Sequence, residues 1–297
     1  MQRSIRTALA TLLIVLAAPL LTGPARAADV TLHIDAAYVT KTGNGPRAVI
    51  LIPGLASGAY VFDAIAPSLA KRFTVYTITF AGFDGEPPVQ GPYLDAFAKS
   101  LVDLIAQEGL RKPVLVGHSL GGYLAVRLAE TIPDQIGGVV AVDSLALFPP
   151  LRPGDTLAER RTALIPLRDQ MLAASDAAFD AQARATTASM VTDPKNVDFI
   201  TAREIKSDRA TFVGSYAEMS VSDLHPQLSK IVAPVLVLAA TPTEAQADGY
   251  RAFYLQDYAG TPRLDVIAIA PSKHFIMYDQ PERFASALDA FLMKVAP

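Results

Sequence analysis

The residues best suited to chemistry gather around one serine. Pro113 to Gly122 reads Pro-Val-Leu-Val-Gly-His-Ser-Leu-Gly-Gly, an apolar run broken at Ser119 between Gly117 and Gly121, and residues 123–130 follow at helical spacing. A strand, a sharp turn and a helix in that order hold a serine hydroxyl out at the carboxyl edge of a parallel sheet. Glycine is needed two residues to either side, where a side chain would collide with backbone. The N–H of Leu120 then opens a helix N-terminus facing the same space, which suits a developing negative charge. This pattern predicts nucleophilic attack by Ser119 on an acyl carbon. The bland alternative is a packing turn with Ser119 as a helix N-cap.

A serine hydroxyl is a poor nucleophile at neutral pH. It needs a neutral imidazole within hydrogen-bond reach, and that imidazole needs a carboxylate to orient it. The chain has four histidines, His33, His118, His225 and His274. Only His274 lies on a loop at the same sheet edge as Ser119, the loop that follows the strand-like run 263–269. His118 adjoins the serine but is expected to point away across the turn and to pack. His33 falls on the polar side of an alternating run and is expected to be solvated, and His225 precedes Pro226 where a helical stretch ends. A second anion-stabilising donor is sought in a loop after a buried strand. Pro53-Gly-Leu-Ala-Ser-Gly58 follows the apolar run 47–52, which makes the N–H of Leu55 the candidate.

These residues need a scaffold, and the periodicities supply one. Residues 29–40 alternate as an antiparallel edge strand should, residues 60–70 have amphipathic helical spacing, and residues 73–80 read as a strand. A helix is predicted over 93–110, ended by Gly109, then the strand before Ser119, then a buried strand over 136–143 that finishes on Asp143. From Phe148 to about Ser229 the pattern is helical throughout. Its aromatic and methionine residues are expected to form that segment's own core. Strands return at 233–240 and 263–269, with a helix over 244–258 between them and a closing helix started by Pro281. Alternating strands and helices give a mostly parallel, doubly wound sheet covered on both faces. The expected division is a signal segment 1–27, a core of 28–148 and 230–297, and a helical cap 149–229.

Composition narrows the function classes. The 297 residues are 51% apolar and 19% charged, enough for a large core. Basic residues Arg3 and Arg6, an apolar run from Ala8 to Leu21 and the small-x-small tripeptide Ala25-Arg-Ala27 form a secretory signal peptide, so the mature chain is expected to be secreted or periplasmic, with no stable membrane insertion after cleavage. The net charge of −3 becomes more acidic once Arg3, Arg6 and Arg26 are removed, which argues against a nucleic-acid partner. With no cysteine and no paired histidine spacing, neither a disulfide nor a metal site is expected.

Gly117-His-Ser-Leu-Gly-Gly122, Pro53-Gly-Leu-Ala56 and His274-Phe-Ile-Met-Tyr-Asp-Gln-Pro281, in that relation, resemble the α/β-hydrolase family over residues 45 to 295. The resemblance implies the α/β-hydrolase fold with a helical cap after the sixth strand. It implies Ser119 as nucleophile, His274 as general base, the amides of Leu55 and Leu120 as oxyanion hole, and no cofactor. Two acids are open. Asp143 ends the strand after the nucleophile helix, an acid position used by some members, and keeps the order serine, acid, histidine. Glu244 lies near the more common position, where Thr243 stands instead. Asp143 is preferred. The implied activity is cleavage of a carboxylic ester or related acyl bond in a small-molecule substrate. A serine where related dehalogenases and epoxide hydrolases have Asp disfavours those reactions. The alternative is a non-catalytic member that binds or senses a ligand.

Overall fold

The computed structural model describes residues 29–295; the expected signal segment, 1–27, lies outside the described residues. Eight strands of the described residues make one sheet in the order β1-β2-β4-β3-β5-β6-β7-β8. They are β1 Val30–Ile34, β2 Ala37–Thr42, β3 Ala48–Ile52, β4 Thr74–Phe80, β5 Val114–His118, β6 Gly138–Val142, β7 Val235–Ala240 and β8 Leu264–Ile269. β2 runs antiparallel to β1 and β4, and every pairing from β4 to β8 is parallel. Every residue of β3, β5, β6 and β7 is buried, which is why these runs are apolar without alternation.

Among the described residues ten helices accompany the sheet: α1 Ala66–Leu69, α2 Tyr93–Gln107, α3 Leu120–Thr131, α4 Leu157–Ala173, α5 Asp176–Met190, α6 Pro194–Glu204, α7 Arg209–Ser220, α8 Ala247–Asp257, α9 Ile276–Asp279 and α10 Pro281–Lys294. Side chains along the central strands alternate between two cores. Ile50 and Leu115 pack with α2, α3 and α8 through Leu101, Leu124 and Tyr254. Val49 and Val116 pack on the other face with α1 and α10 through Leu69 and Leu288. The helices α4–α7 come between β6 and β7 in the chain.

The structure corrects three expectations. Residues 29–40 are not one edge strand but part of a hairpin, β1 and β2, turning at Asp35 with φ +48°. No glycine marks that turn, because an aspartate tolerates the left-handed region on its own. The helix expected over 60–70 is a single 3₁₀ turn, Ala59–Phe62, followed by the four-residue α1 with Pro67 near its start. The apolar residues of α4–α7 form little core of their own: α4 has no buried residue, and Leu167, Met171, Phe179, Phe212 and Tyr216 line a cavity instead. Helices that ring a space turn their apolar stripes toward it, and periodicity cannot tell a cavity wall from a core.

Candidate active site

The cavity has a volume of about 790 Å³ and lies between α4–α7 and the carboxyl ends of the strands. Ser119 and His274 both line it, as do Leu55 and Asp143. Ser119 leaves β5 with φ +52° and ψ −118°, a conformation that L residues rarely hold. The turn is enforced by its surroundings. A Cβ on Gly117 would meet the Gly121 carbonyl oxygen at 2.1 Å, and one on Gly121 would meet that of Ile52 at 2.1 Å. The Ser119 N–H donates to the Val142 carbonyl at 2.9 Å, tying the turn to the end of β6.

Asp143 is the residue just after β6 and also has a positive φ, +45°. Its N–H donates to Leu238 O at 2.8 Å, which fixes the backbone against β7. The carboxylate is held from three directions. Oδ1 accepts from the Ala240 N–H at 3.0 Å and from the Tyr254 hydroxyl at 2.7 Å, while Oδ2 stands 2.6 Å from His274 Nδ1. Burial, and after it the charge of Asp143, push the Tyr254 hydroxyl far above the usual tyrosine range, so it remains a donor. Tyr254 gave no signal in the sequence beyond being one aromatic residue among several in 244–258. The other candidate acid, Glu244, is exposed and pairs with Arg283 at 2.6 Å.

With Nδ1 engaged by Asp143, the tautomer that carries a proton there leaves Nε2 of His274 free as a base. The loop that carries His274 is held by neighbours on both sides. His118, expected merely to pack, brings its Nε2 to 3.1 Å from the His274 carbonyl oxygen. Only an N–H there can bond to a carbonyl, and full burial holds the His118 ring far below the usual histidine range, so it is neutral with its proton on Nε2. It faces the His274 loop because the opposite side of the ring is against Gly54. From the helical insertion, Met190 O accepts from the Phe275 N–H at 3.0 Å, and Lys273 Nζ reaches Ala188 O and Val191 O at 3.0 and 3.1 Å. Asp279 binds Thr192 and the Lys273 N–H together, at 2.8 to 2.9 Å.

Leu120 is the first residue of α3, so its N–H is one of those at a helix start with no intrahelical acceptor. Leu55 sits in a turn closed by the Ser57 N–H on Gly54 O at 3.2 Å, with Ala56 at φ +61°. The remaining histidines lie elsewhere: His33 is exposed and stacked on Tyr38, and His225 pairs with Asp223 and Asp257. Among the described residues no three His, Asp or Glu side chains are grouped as a metal site, and no helix is long and apolar enough to cross a membrane.

A family model described as "Alpha/beta hydrolase family" matches residues 49–287. Among curated relatives, the polyketide synthase ThaQ of Burkholderia thailandensis is 35% identical over 118 residues, 39% of this chain and 6% of that protein. The pimeloyl-[acyl-carrier protein] methyl ester esterase of Nitrosomonas europaea is 29% identical over 111 residues, 37% of this chain and 42% of that one. The chain therefore spans less than half the length of either relative. Among solved structures, the enol-lactonase of Burkholderia xenovorans superposes with a TM-score of 0.72 at 18% identity, covering 89% of this chain and 100% of that one. With the sheet order, the strained serine turn and a family match across most of its length, this chain belongs to the alpha/beta hydrolase family.

Proposed function

We propose that this protein is a serine hydrolase that cleaves a carboxylic ester, or a related acyl bond, through an acyl-enzyme. The observation that carries the reading is the shared cavity wall, with Ser119 on its strained turn and His274 bonded through Nδ1 to Asp143. Support of a coarser kind comes from the esterase and lactonase among the family's similar members.

In this mechanism Ser119 Oγ attacks the substrate carbonyl carbon as its proton passes to His274 Nε2, and Asp143 stabilises the imidazolium. The amides of Leu55 and Leu120 receive the negative charge that forms on the carbonyl oxygen. Collapse of the tetrahedral species expels the alcohol, which takes the proton from His274 and leaves an acyl group on Ser119. A water molecule, deprotonated by His274, then attacks the acyl-enzyme; the acid departs and Ser119 regains its proton. The segment Met1–Ala27 is read as an export signal, so the mature enzyme works outside the cytoplasm.

The test is hydrolysis of p-nitrophenyl acyl esters together with labelling by a fluorophosphonate probe. Stoichiometric modification of Ser119 is expected, with turnover falling by at least about 10³-fold in Ser119→Ala. Complete inertness of the folded wild-type chain to both would leave a ligand-binding protein without catalysis. Export is checked by N-terminal sequencing of the protein recovered outside the cytoplasm, where Ala28 is the expected first residue.

A further inference from the structure

One carboxyl group in the cavity has no part in the chemistry above. Glu204 ends α6 and lines the same cavity as Ser119 and His274. It lies over the loop that carries Leu55. Its Oε1 is 3.5 Å from the hydroxyl of the buried Ser57, and three residues along, the Ser207 hydroxyl donates to Ala56 O at 3.1 Å. On its other side, Oε2 is 2.8 Å from the Thr187 hydroxyl of α5. We infer that Glu204 is a recognition subsite beside the oxyanion loop, whose acid form donates a hydrogen bond to a second, uncharged carbonyl oxygen of the ester substrate.

Proton accounting supports this. The Ser57 and Thr187 hydroxyls each have one proton to give, and both are aimed at the two carboxyl oxygens as donors. Thr187 Oγ also sits 2.9 Å from Ala183 O, the acceptor it would turn to if Glu204 donated to it instead. With both hydroxyls donating to Glu204, the proton of its neutral form has no acceptor in the protein and is left for whatever occupies the cavity. Charge points the same way. Of the groups facing Glu204, His274 lies across the cavity, Tyr60 presents a buried hydroxyl without a hydrogen-bond partner, and Arg203 on its own helix is engaged with Asp84 and the rings of Tyr60 and Phe199. Among the described residues no lysine or arginine lines the cavity. Burial, opposed by the Thr187 hydroxyl, His274 and the Ser57 hydroxyl, pushes the Glu204 carboxyl up to about 7.

A carboxylic acid in such a place offers a donor that an apolar wall lacks, and a substrate without an acceptor leaves it unused. Anionic esters meet no counter-charge and are rejected. The favoured substrate is a neutral ester with an oxo, amide or second ester carbonyl near the scissile one. Because an acceptor-only group needs the proton, the preference holds below the Glu204 pKa and fades as pH rises through about 7.

The inference rests on the serine-hydrolase reading only in calling the ligand a substrate, and binding tests it separately from turnover. Dissociation constants of ethyl levulinate and ethyl valerate are measured with full-length Ser119→Ala. Expected is a preference of about tenfold for the levulinate near pH 6 that shrinks toward none near pH 8.5. Adding Glu204→Gln should keep the preference at both pH values, because an amide donates regardless, and adding Glu204→Leu should abolish it. Monoethyl glutarate should bind more weakly than ethyl valerate. Equal constants for the first pair, no saturable binding of either, a preference that survives Glu204→Leu, or tighter binding of ethyl γ-aminobutyrate than of the levulinate overturns the subsite. Wild-type hydrolysis is scored apart. Absent turnover with the binding ratio intact refutes the hydrolase reading and leaves the subsite, and the converse refutes the subsite alone.

Discussion

Helices on the two sides of the cavity are held by different means. α2, α3, α8 and α10 begin without a side-chain cap and are defined by the apolar residues they bury, such as Leu101, Leu124, Tyr254 and Leu288. α4, α5, α6 and α7 each begin on a capping side chain, Thr156, Ser175, Asp193 and Asp208, that accepts from a backbone N–H of the first turn. α4 buries no residue and α5 only Thr187, so in these two local signals stand in for packing, whereas α6 and α7 also bury Val197, Ile200, Val213 and Met219. The division matches the labour. On the sheet side Ser119 and Asp143 are fixed by strand ends and close backbone contacts, while the His274 loop is held both by His118 and by residues 188–192 of the insertion. On the insertion side the side chains facing the cavity can change with little cost to the helices that present them.

The largest effect expected on the sheet side is chemical. Asp143→Asn should lower turnover by about 10³- to 10⁴-fold through the wrong histidine tautomer, with the melting temperature nearly unchanged. Met171→Ala, on the cavity wall of α4, should alter acyl-length preference within about tenfold, the worth of a methylene or two. Rates within tenfold of wild type for Asp143→Asn would break the contrast. Next in size is Gly121→Ala, which drives a Cβ to 2.1 Å from a backbone oxygen. A destabilisation of about 3 kcal/mol or more is expected, read by denaturant unfolding. Gly154, in the segment before α4, has nothing within 4 Å of its would-be Cβ but holds φ +92°, so Gly154→Ala should cost only its backbone strain, about 1 kcal/mol.

What the sequence made legible follows the same line. The alternation of strand and helix is local, and the sheet appears where the apolar runs fall. The strand, turn and helix around Ser119 were readable because the glycines that permit the turn lie within two residues of it. The partners of the loop at 270–275 were not. Tyr254 reaches Asp143 across 111 residues and His118 reaches the His274 carbonyl across 156, and neither contact leaves a mark in periodicity. The apolar residues of α4–α7 have the spacing of any amphipathic helix, which does not distinguish a core from a cavity wall. The capping residues that set those helices apart stood in the sequence as Thr156-x-x-Glu159, Ser175, Asp193-Pro194 and Asp208.

His118→Phe sharpens the comparison at smaller scale. It keeps a buried ring but removes the donor to the His274 carbonyl, so the loop loses one neutral hydrogen bond and kcat should fall about fivefold to tenfold. A positioning role predicts that KM stays close to wild type and that the pH profile keeps its shape, because burial holds the lost ring far below the usual histidine range. A rise in KM with unaltered kcat would make His118 part of the cavity wall only.

The smallest effect tests the insertion. Thr156 and Glu159 form a reciprocal cap, with Glu159 N–H on Thr156 Oγ at 3.2 Å and Thr156 N–H on Glu159 Oε2 at 2.9 Å. No residue of α4 is buried, so little tertiary packing is available to make up for the loss of this cap. Thr156→Ala should cost about 1 kcal/mol, confined to that helix. Hydrogen exchange should quicken about fivefold for α4 amides and stay unchanged in β5 and β6, with the global melting temperature lower by no more than about 2–4 °C. Loosening α4 also loosens Leu167 and Met171 on the cavity wall, so discrimination between short and long acyl esters should weaken while Ser119 labelling keeps its rate. If α4 exchange were unchanged and the sheet amides quickened instead, the insertion would be held by packing after all, and the proposed separation between fixed chemistry and adjustable wall would fail.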